Sequence, residues 1–220
     1  MSLWYSFVLQ LAKGAYGLLG GVRTTGRENV PKSGPVILAP IHLSHLDPPL
    51  MAIACRRQLR FMAKEELFTG LLKPLITSLG AFPVKRGEGD TEAIRLAMSL
   101  LEKGEVVLIF PEGTRGDGTR LLPLNKGIPM IAKRTGATVV PASIVGTHIA
   151  WPRGRKKLKR SRMNVRFGQP FTYADIATHP TERENRAAFL DRLSDEIRAL
   201  CAEDGLNLSR EPGQSLPDES

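Results

Sequence analysis

Two short segments of this chain carry side chains that can move a proton and hold an anion. The first, His42-Leu43-Ser44-His45-Leu46-Asp47, offers a base with a carboxylate five residues on. The second, Phe110-Pro111-Glu112-Gly113-Thr114-Arg115, lies about sixty-five residues further along and offers a glycine-bearing loop with an acid and a fixed cation. Together they suit removal of a proton from a hydroxyl on a substrate that carries a phosphate.

The spacing within the first segment constrains its shape. On a regular helix, positions five apart lie about 140° around the axis from each other, so His42 and Asp47 would diverge. For imidazole and carboxylate to meet, the chain must turn between them, and Ser44 favours such turns. A carboxylate on Nδ1–H then fixes the tautomer and leaves Nε2 free to accept a proton. Asp47 followed by Pro48, with Met51, Ala52 and Ile53 beyond, also reads as a helix N-cap, and one Asp can do both jobs. Taken alone, the second segment has a plain reading as well, a strand terminator with Glu112 and Arg115 as a surface ion pair. Lys85 and Arg86 can likewise be a solvated pair after a strand. His45 invites a metal site with His42 and Asp47. Only His148 and His179 remain as further histidines, both in loop-like contexts, so no metal is predicted.

The elements that must position these groups follow from periodicity and punctuation. Residues 35–40 read as a buried strand delivering His42 at its C-terminal end, and 48–57 as a helix. A short strand over 59–63, a helix over 64–79 broken near Gly70 and Pro74, and an extended piece over 81–84 follow. Residues 91–103 have helical periodicity and stop at Gly104, and 105–110 form a strand running into Glu112. A helix over 126–135 ends at Gly136. Strands over 138–143 and 163–167 and an amphipathic helix over 182–203 complete the pattern. Alternating strands and helices predict an α/β layered fold with a largely parallel central sheet. In such sheets functional sites gather beyond the C-terminal strand edges, where His42, Arg86 and Arg115 are all expected.

Composition fits one soluble-type core with special surfaces. Hydrophobic residues at 42% and charged residues at 24% are ordinary for a globular chain of 220 residues. The two cysteines, Cys55 and Cys201, cannot make a disulfide framework and lie in neither segment, which argues against a cysteine nucleophile. Of a formal net charge of +9, seven charges come from residues 153–162, which contain no acid. Such a run suits anionic lipid, a phosphate-rich cofactor or nucleic acid, or is merely solvated. The apolar residues 3–22 include Trp4, Tyr5, Phe7 and Tyr16, but Lys13 sits in their middle, which disfavours a membrane span. An interfacial helix is preferred, with a helix packed on its own domain as the alternative. The expected organisation is therefore a membrane-associating helix over 1–22, one catalytic domain over 23–204 and a disordered polar tail over 205–220.

The two opening segments resemble the HX4D and FPEGTR signatures of the glycerolipid acyltransferases, the family of 1-acylglycerol-3-phosphate acyltransferases. Gly80-Ala81-Phe82-Pro83-Val84-Lys85-Arg86 resembles that family's second block and Val139-Val140-Pro141-Ala142-Ser143-Ile144 its fourth. All four occur in the family's order. One departure is Ile41, where the family often has asparagine before the histidine.

The resemblance implies a glycerolipid-acyltransferase-like αβα fold and direct acyl transfer with His42 as general base oriented by Asp47. It implies acceptor binding by Arg86, Glu112, Gly113, Thr114 and Arg115, with Glu112 orienting an arginine or bonding the glycerol. Acyl-CoA or acyl-carrier protein would be the co-substrate, with no further cofactor. The partners would be a lysophospholipid and a membrane surface on the cytoplasmic side, in peripheral or monotopic attachment. Two alternatives stay open: another lysophospholipid, amino- or glycolipid acceptor, and a basic protein binding anionic membranes or nucleic acid through residues 153–162. Aromatics are absent from that run, which weakens a stacking mode for nucleic acid, and no nucleic-acid partner is predicted.

Overall fold

The structure is a computed structural model that describes residues 3–65, 68–69, 72–84, 90–152, 154–155 and 157–209. Seven strands form one sheet in the order β1-β7-β6-β2-β5-β3-β4. In chain order these are β1 (Val22–Thr25), β2 (Val36–Pro40), β3 (Leu59–Lys64), β4 (Ala81–Val84), β5 (Val106–Leu108), β6 (Thr138–Val145) and β7 (Met163–Phe167). Every pairing is parallel except β6 with β7. The predicted largely parallel α/β sheet is what the chain forms.

The helices follow from the crossovers. The chain moves from β2 to β3 to β4 in one direction across the sheet, through α2 (Asp47–Ala54) and α3 (Leu72–Ser78). It then returns from β4 to β5 to β6 in the opposite direction, through α4 (Asp90–Glu102) and α5 (Gly127–Thr135). Right-handed crossovers therefore put α2 and α3 on one face and α4 and α5 on the other. A short α6 (Thr147–Ala150) follows β6, and α7 (Glu182–Glu203) packs on β6 and α5. Thr181 and Glu184 form a reciprocal capping box that starts α7.

The central strands are buried on both faces, as parallel strands under two helical layers must be. β2 is buried at all five positions and β5 at all three. This explains why 36–40 and 106–108 read as continuous apolar runs rather than alternating ones. Ile41 continues the buried run and its amide donates to the Ala142 carbonyl, so an apolar residue fits the position before His42.

The N-terminal helix α1 (Leu3–Leu18) has two faces. Tyr5 and Tyr16 point inward and are buried, and the helix packs on α2. Leu3, Trp4, Phe7, Leu11 and Leu18 are exposed, and at 100° per residue they form one stripe on the opposite side. No helix among the described residues is long and apolar enough to cross a membrane.

Three short elements escape the sequence reading: β1, a 3-10 turn over Arg27–Asn29, and α6. The start of the expected disordered tail is ordered. Leu208 is buried, and the Ser209 amide donates to the Thr119 carbonyl while Leu121 N–H donates to the Ser209 carbonyl. Residues from 210 onward lie outside the described residues.

Candidate active site

His42 and Glu112 reach the same place because their strands are neighbours in register. Leu38 on β2 pairs with Leu108 on β5, and His42 and Glu112 each follow four residues after that pair, beyond the C-terminal ends of their strands. Past that edge the chain turns after Ile41, as the spacing required, and α2 begins at Asp47. The Asp47 carboxylate folds back over the turn instead of serving its own helix. Its Oδ2 accepts from Leu43 N–H and Ser44 N–H, each at 2.7 Å, and lies 2.8 Å from His42 Nδ1. The contact between the two side chains is thus present, whereas the helix-cap reading of Asp47 is not met: the N-cap is Leu46 and no side chain caps the helix.

The dyad is asymmetric in exposure. The Asp47 side chain is 0% exposed and the His42 side chain 17%. With Nδ1–H donating to the carboxylate, Nε2 is left as an acceptor on the open side. The ring of Phe110 stacks on the imidazole with centroids 3.8 Å apart, limiting its rotation.

The second segment grips the backbone of His42 on both sides. Glu112 Oε2 accepts from His42 N–H at 3.0 Å, and Gly116 N–H donates to the His42 carbonyl at 2.8 Å. The other Glu112 oxygen accepts from Leu122 N–H at 3.0 Å, which closes the loop between them. Burial pushes the Glu112 carboxyl up to about 7, against the lowering pull of those two amide donors and with a further upward push from Asp47. Gly113 turns this loop with φ 64°, a left-handed conformation that only glycine adopts freely. Gly113 and Thr114 are exposed at the loop tip and Arg115 is half-buried.

The wider comparison decides the family. The family described as Acyltransferase matches residues 21–145. The 1-acyl-sn-glycerol-3-phosphate acyltransferase of Bacillus subtilis is 31% identical over 198 residues, covering 89% of this chain and 96% of that one. The enzyme of the same description from Streptococcus pneumoniae is 34% identical over 172 residues, covering 76% of this chain and 61% of that one. The chain belongs to the acyltransferase family. The crystal structure of the 1-acyl-sn-glycerophosphate acyltransferase PlsC from Thermotoga maritima superposes on it with a TM-score of 0.76. That match has 28% identity and covers 93% of this chain and 81% of that one. It carries the same mixed α/β fold with a mostly parallel sheet.

Within this acyltransferase, His42, Asp47, Glu112, Gly113, Thr114 and Arg115 gather at one sheet edge. Arg86 follows β4, which ends at Val84, and lies outside the described residues. Both cysteines are buried, and burial pushes the Cys201 thiol up to about 12.

Several positioning contacts had no signal in the motifs. The Tyr16 hydroxyl of α1 donates to the Leu46 carbonyl at 2.7 Å, one residue before Asp47. The Ser44 hydroxyl donates to the Trp151 carbonyl, and the Trp151 ring tilts against His45. These partners lie 30 and 107 residues away in sequence, so only the fold brings them to the turn.

Proposed function

We propose that the enzyme transfers an acyl group from a thioester donor, acyl-CoA or acyl-carrier protein, to the free hydroxyl of a 1-acylglycerol 3-phosphate, giving phosphatidic acid. His42 Nε2 takes the proton of that hydroxyl as its oxygen attacks the thioester carbonyl. The tetrahedral adduct collapses with loss of the C–S bond, and the departing thiolate takes the proton back from the imidazolium. No acyl-enzyme forms. General-base help of this kind is worth about 10²–10⁴-fold, and juxtaposing the two substrates contributes more.

The observation that carries the reading is the 2.8 Å contact between a fully buried Asp47 and a His42 whose other nitrogen is left open. Asp47 supplies the negative charge that stabilises the imidazolium at the moment it forms. Arg115 and Arg86 are assigned to the acceptor phosphate, where guanidinium forks bind anions bidentately. Gly113 and Thr114 are assigned to backbone and hydroxyl contacts with the same headgroup. Glu112, whose two oxygens are held by backbone amides, acts on the acceptor through the position of the loop and of His42. The burial of Cys55 and Cys201 supports direct transfer over a thiol intermediate. The exposed stripe on α1 is assigned to the cytoplasmic membrane surface, where the lysolipid acceptor resides.

The test is thiol release from palmitoyl-CoA in the presence of lysophosphatidic acid, with His42→Ala for comparison. Release that needs both the acceptor and His42, with phosphatidic acid as product, is the expected result. Full acyl transfer by His42→Ala would overturn the mechanism. Competition by lysophosphatidylcholine as strong as that by lysophosphatidic acid would overturn the acceptor assignment, because only the latter exposes a phosphomonoester to Arg115.

A further inference from the structure

Among the described residues of the basic run, 154–155 and 157–162 lie outside the contacts of the site, yet their placement is specific. Arg155, Lys157, Lys159, Arg160 and Arg162 are all exposed. Among the described residues none of these five meets a carboxylate, whereas Arg186, Arg192 and Arg198 on α7 each pair with an acid three or four residues away. The loop therefore presents uncompensated charge, while the rest of the surface balances much of its own.

The loop is also fastened. Trp151 Nε1 donates to the Arg155 carbonyl at 2.7 Å, and Lys159 N–H donates to the Ala150 carbonyl at 2.8 Å. Its far end is tied to the end of α1. Ser161 N–H donates to the Leu19 carbonyl at 2.7 Å, and Met163 N–H to the Gly21 carbonyl at 3.0 Å. Gly20, between them, has φ 127°, and a Cβ there would lie 2.4 Å from the Ser161 carbonyl oxygen. The joint is backbone against backbone, and only glycine allows it. Two residues before Gly20, Leu18 closes the exposed stripe of α1 at 78% exposure, and in the loop Leu158 is 49% exposed between Lys157 and Lys159.

We infer that Arg155, Lys157, Lys159, Arg160 and Arg162 form an anionic-lipid contact, joined through Gly20 and Ser161 to the apolar stripe of α1 as one two-part membrane footprint. The helix supplies apolar insertion and the loop reads headgroup charge. A leucine flanked by cations is what an interface rewards, with the apolar tip entering the acyl boundary while the ammonium groups stay among phosphates. The inference rests on the membrane reading of α1. Its consequence is selectivity: each Lys or Arg held at an anionic surface is worth about fivefold in affinity.

The experiment is vesicle co-sedimentation of the full chain. It compares wild type with a variant carrying Arg155→Gln, Lys157→Gln, Lys159→Gln and Arg160→Gln together, with the thermal midpoint of each as a check on folding. Wild type should bind vesicles of phosphatidylcholine mixed equally with phosphatidylglycerol far more tightly than phosphatidylcholine alone. The fourfold variant should lose about 600-fold on the mixed vesicles and nothing on the neutral ones. Salt that shortens the Debye length to about 3 Å should bring wild type down to the variant. Equal binding of both proteins to the mixed vesicles would overturn the inference. So would a variant that binds vesicles normally but loses turnover in detergent with a soluble acyl-carrier protein, because the loop would then be docking the donor. Phe7→Ser with Leu11→Ser tests the underlying reading separately. That variant should weaken on both vesicle types alike, and wild-type binding by it would remove the role of α1 while leaving the loop's charge selectivity to the first comparison.

Discussion

The carboxylate of Glu112 holds His42 by its backbone: Oε2 accepts from the His42 amide at 3.0 Å while the imidazole itself is turned to Asp47. The glutamate of one motif thus sets where the histidine of the other stands. Replacing it by glutamine keeps the shape but exchanges one accepting oxygen for a donor, which then faces an N–H of either His42 or Leu122. Leaving a buried amide unsatisfied costs about 1–3 kcal/mol. Glu112→Gln should lower kcat by about 10- to 100-fold through a displaced base. KM for the acceptor should change less, and steady-state kinetics on the two substrates separate these effects.

The same residue gives a pH signature of stability. The Glu112 carboxyl titrates near 4.5 when unfolded and is pushed up to about 7 in the fold, chiefly by burial. Between those values the folded protein holds a proton that the unfolded chain has released, so stability falls as pH rises through this window. The stabilising contribution of the protonated form is complete below about 4.5 and gone above about 7. Its size is roughly 3 kcal/mol. Urea midpoints across that range should decline for wild type relative to Glu112→Gln, in which the group is absent. Parallel pH profiles for the two proteins would show that Glu112 does not titrate there.

Asp47 has all three of its observed bonds on one oxygen, Oδ2. Asparagine can place its carbonyl oxygen there and keep the turn, but it removes the charge that stabilises an imidazolium. Asp47→Asn should therefore fold and bind lysolipid, with kcat reduced about 10³- to 10⁴-fold. Circular dichroism with single-turnover kinetics distinguishes this from simple unfolding, in which both signals would fall together.

How far the site was legible follows from what kind of signal each part leaves. The His42–Asp47 contact was readable because five-residue spacing excludes a helix and residue types name the chemistry. The central strands β2 and β5 were readable as unbroken apolar runs, which burial on both faces requires. β1 was not, because its four residues are only partly buried at the sheet edge and it pairs with β7, some 140 residues away. The backbone grip of Glu112 on His42 was equally hidden. Its side chain carries the same letter whether it faces solvent, an arginine or an amide, and only the register of β2 on β5 decides among them. Ordering of Leu206–Ser209 had no local signal either, since it depends on pairing with the 119–121 loop.

Tyr16 connects the N-terminal helix to the turn between His42 and Asp47, and this yields the last prediction. Its hydroxyl is buried and donates to the Leu46 carbonyl at 2.7 Å, and burial together with the nearby Asp47 holds its own proton firmly. Phenylalanine at this position keeps the packing of α1 on α2 and removes only that bond, leaving Leu46 with its helical partner Leu50 N–H. The loss should cost about 1 kcal/mol of stability. If the bond also sets the pitch of the turn, Tyr16→Phe should lower kcat by about 10-fold while vesicle binding stays at the wild-type level. Tyr5→Phe is the control. Its hydroxyl accepts from Leu59 N–H at 3.4 Å, at the start of β3 and on the opposite edge of the sheet from His42, so it should lose stability without losing kcat. Equal kcat in wild type and Tyr16→Phe would reduce α1 to a passive anchor. A selective loss would make the N-terminal helix a part of what aims His42.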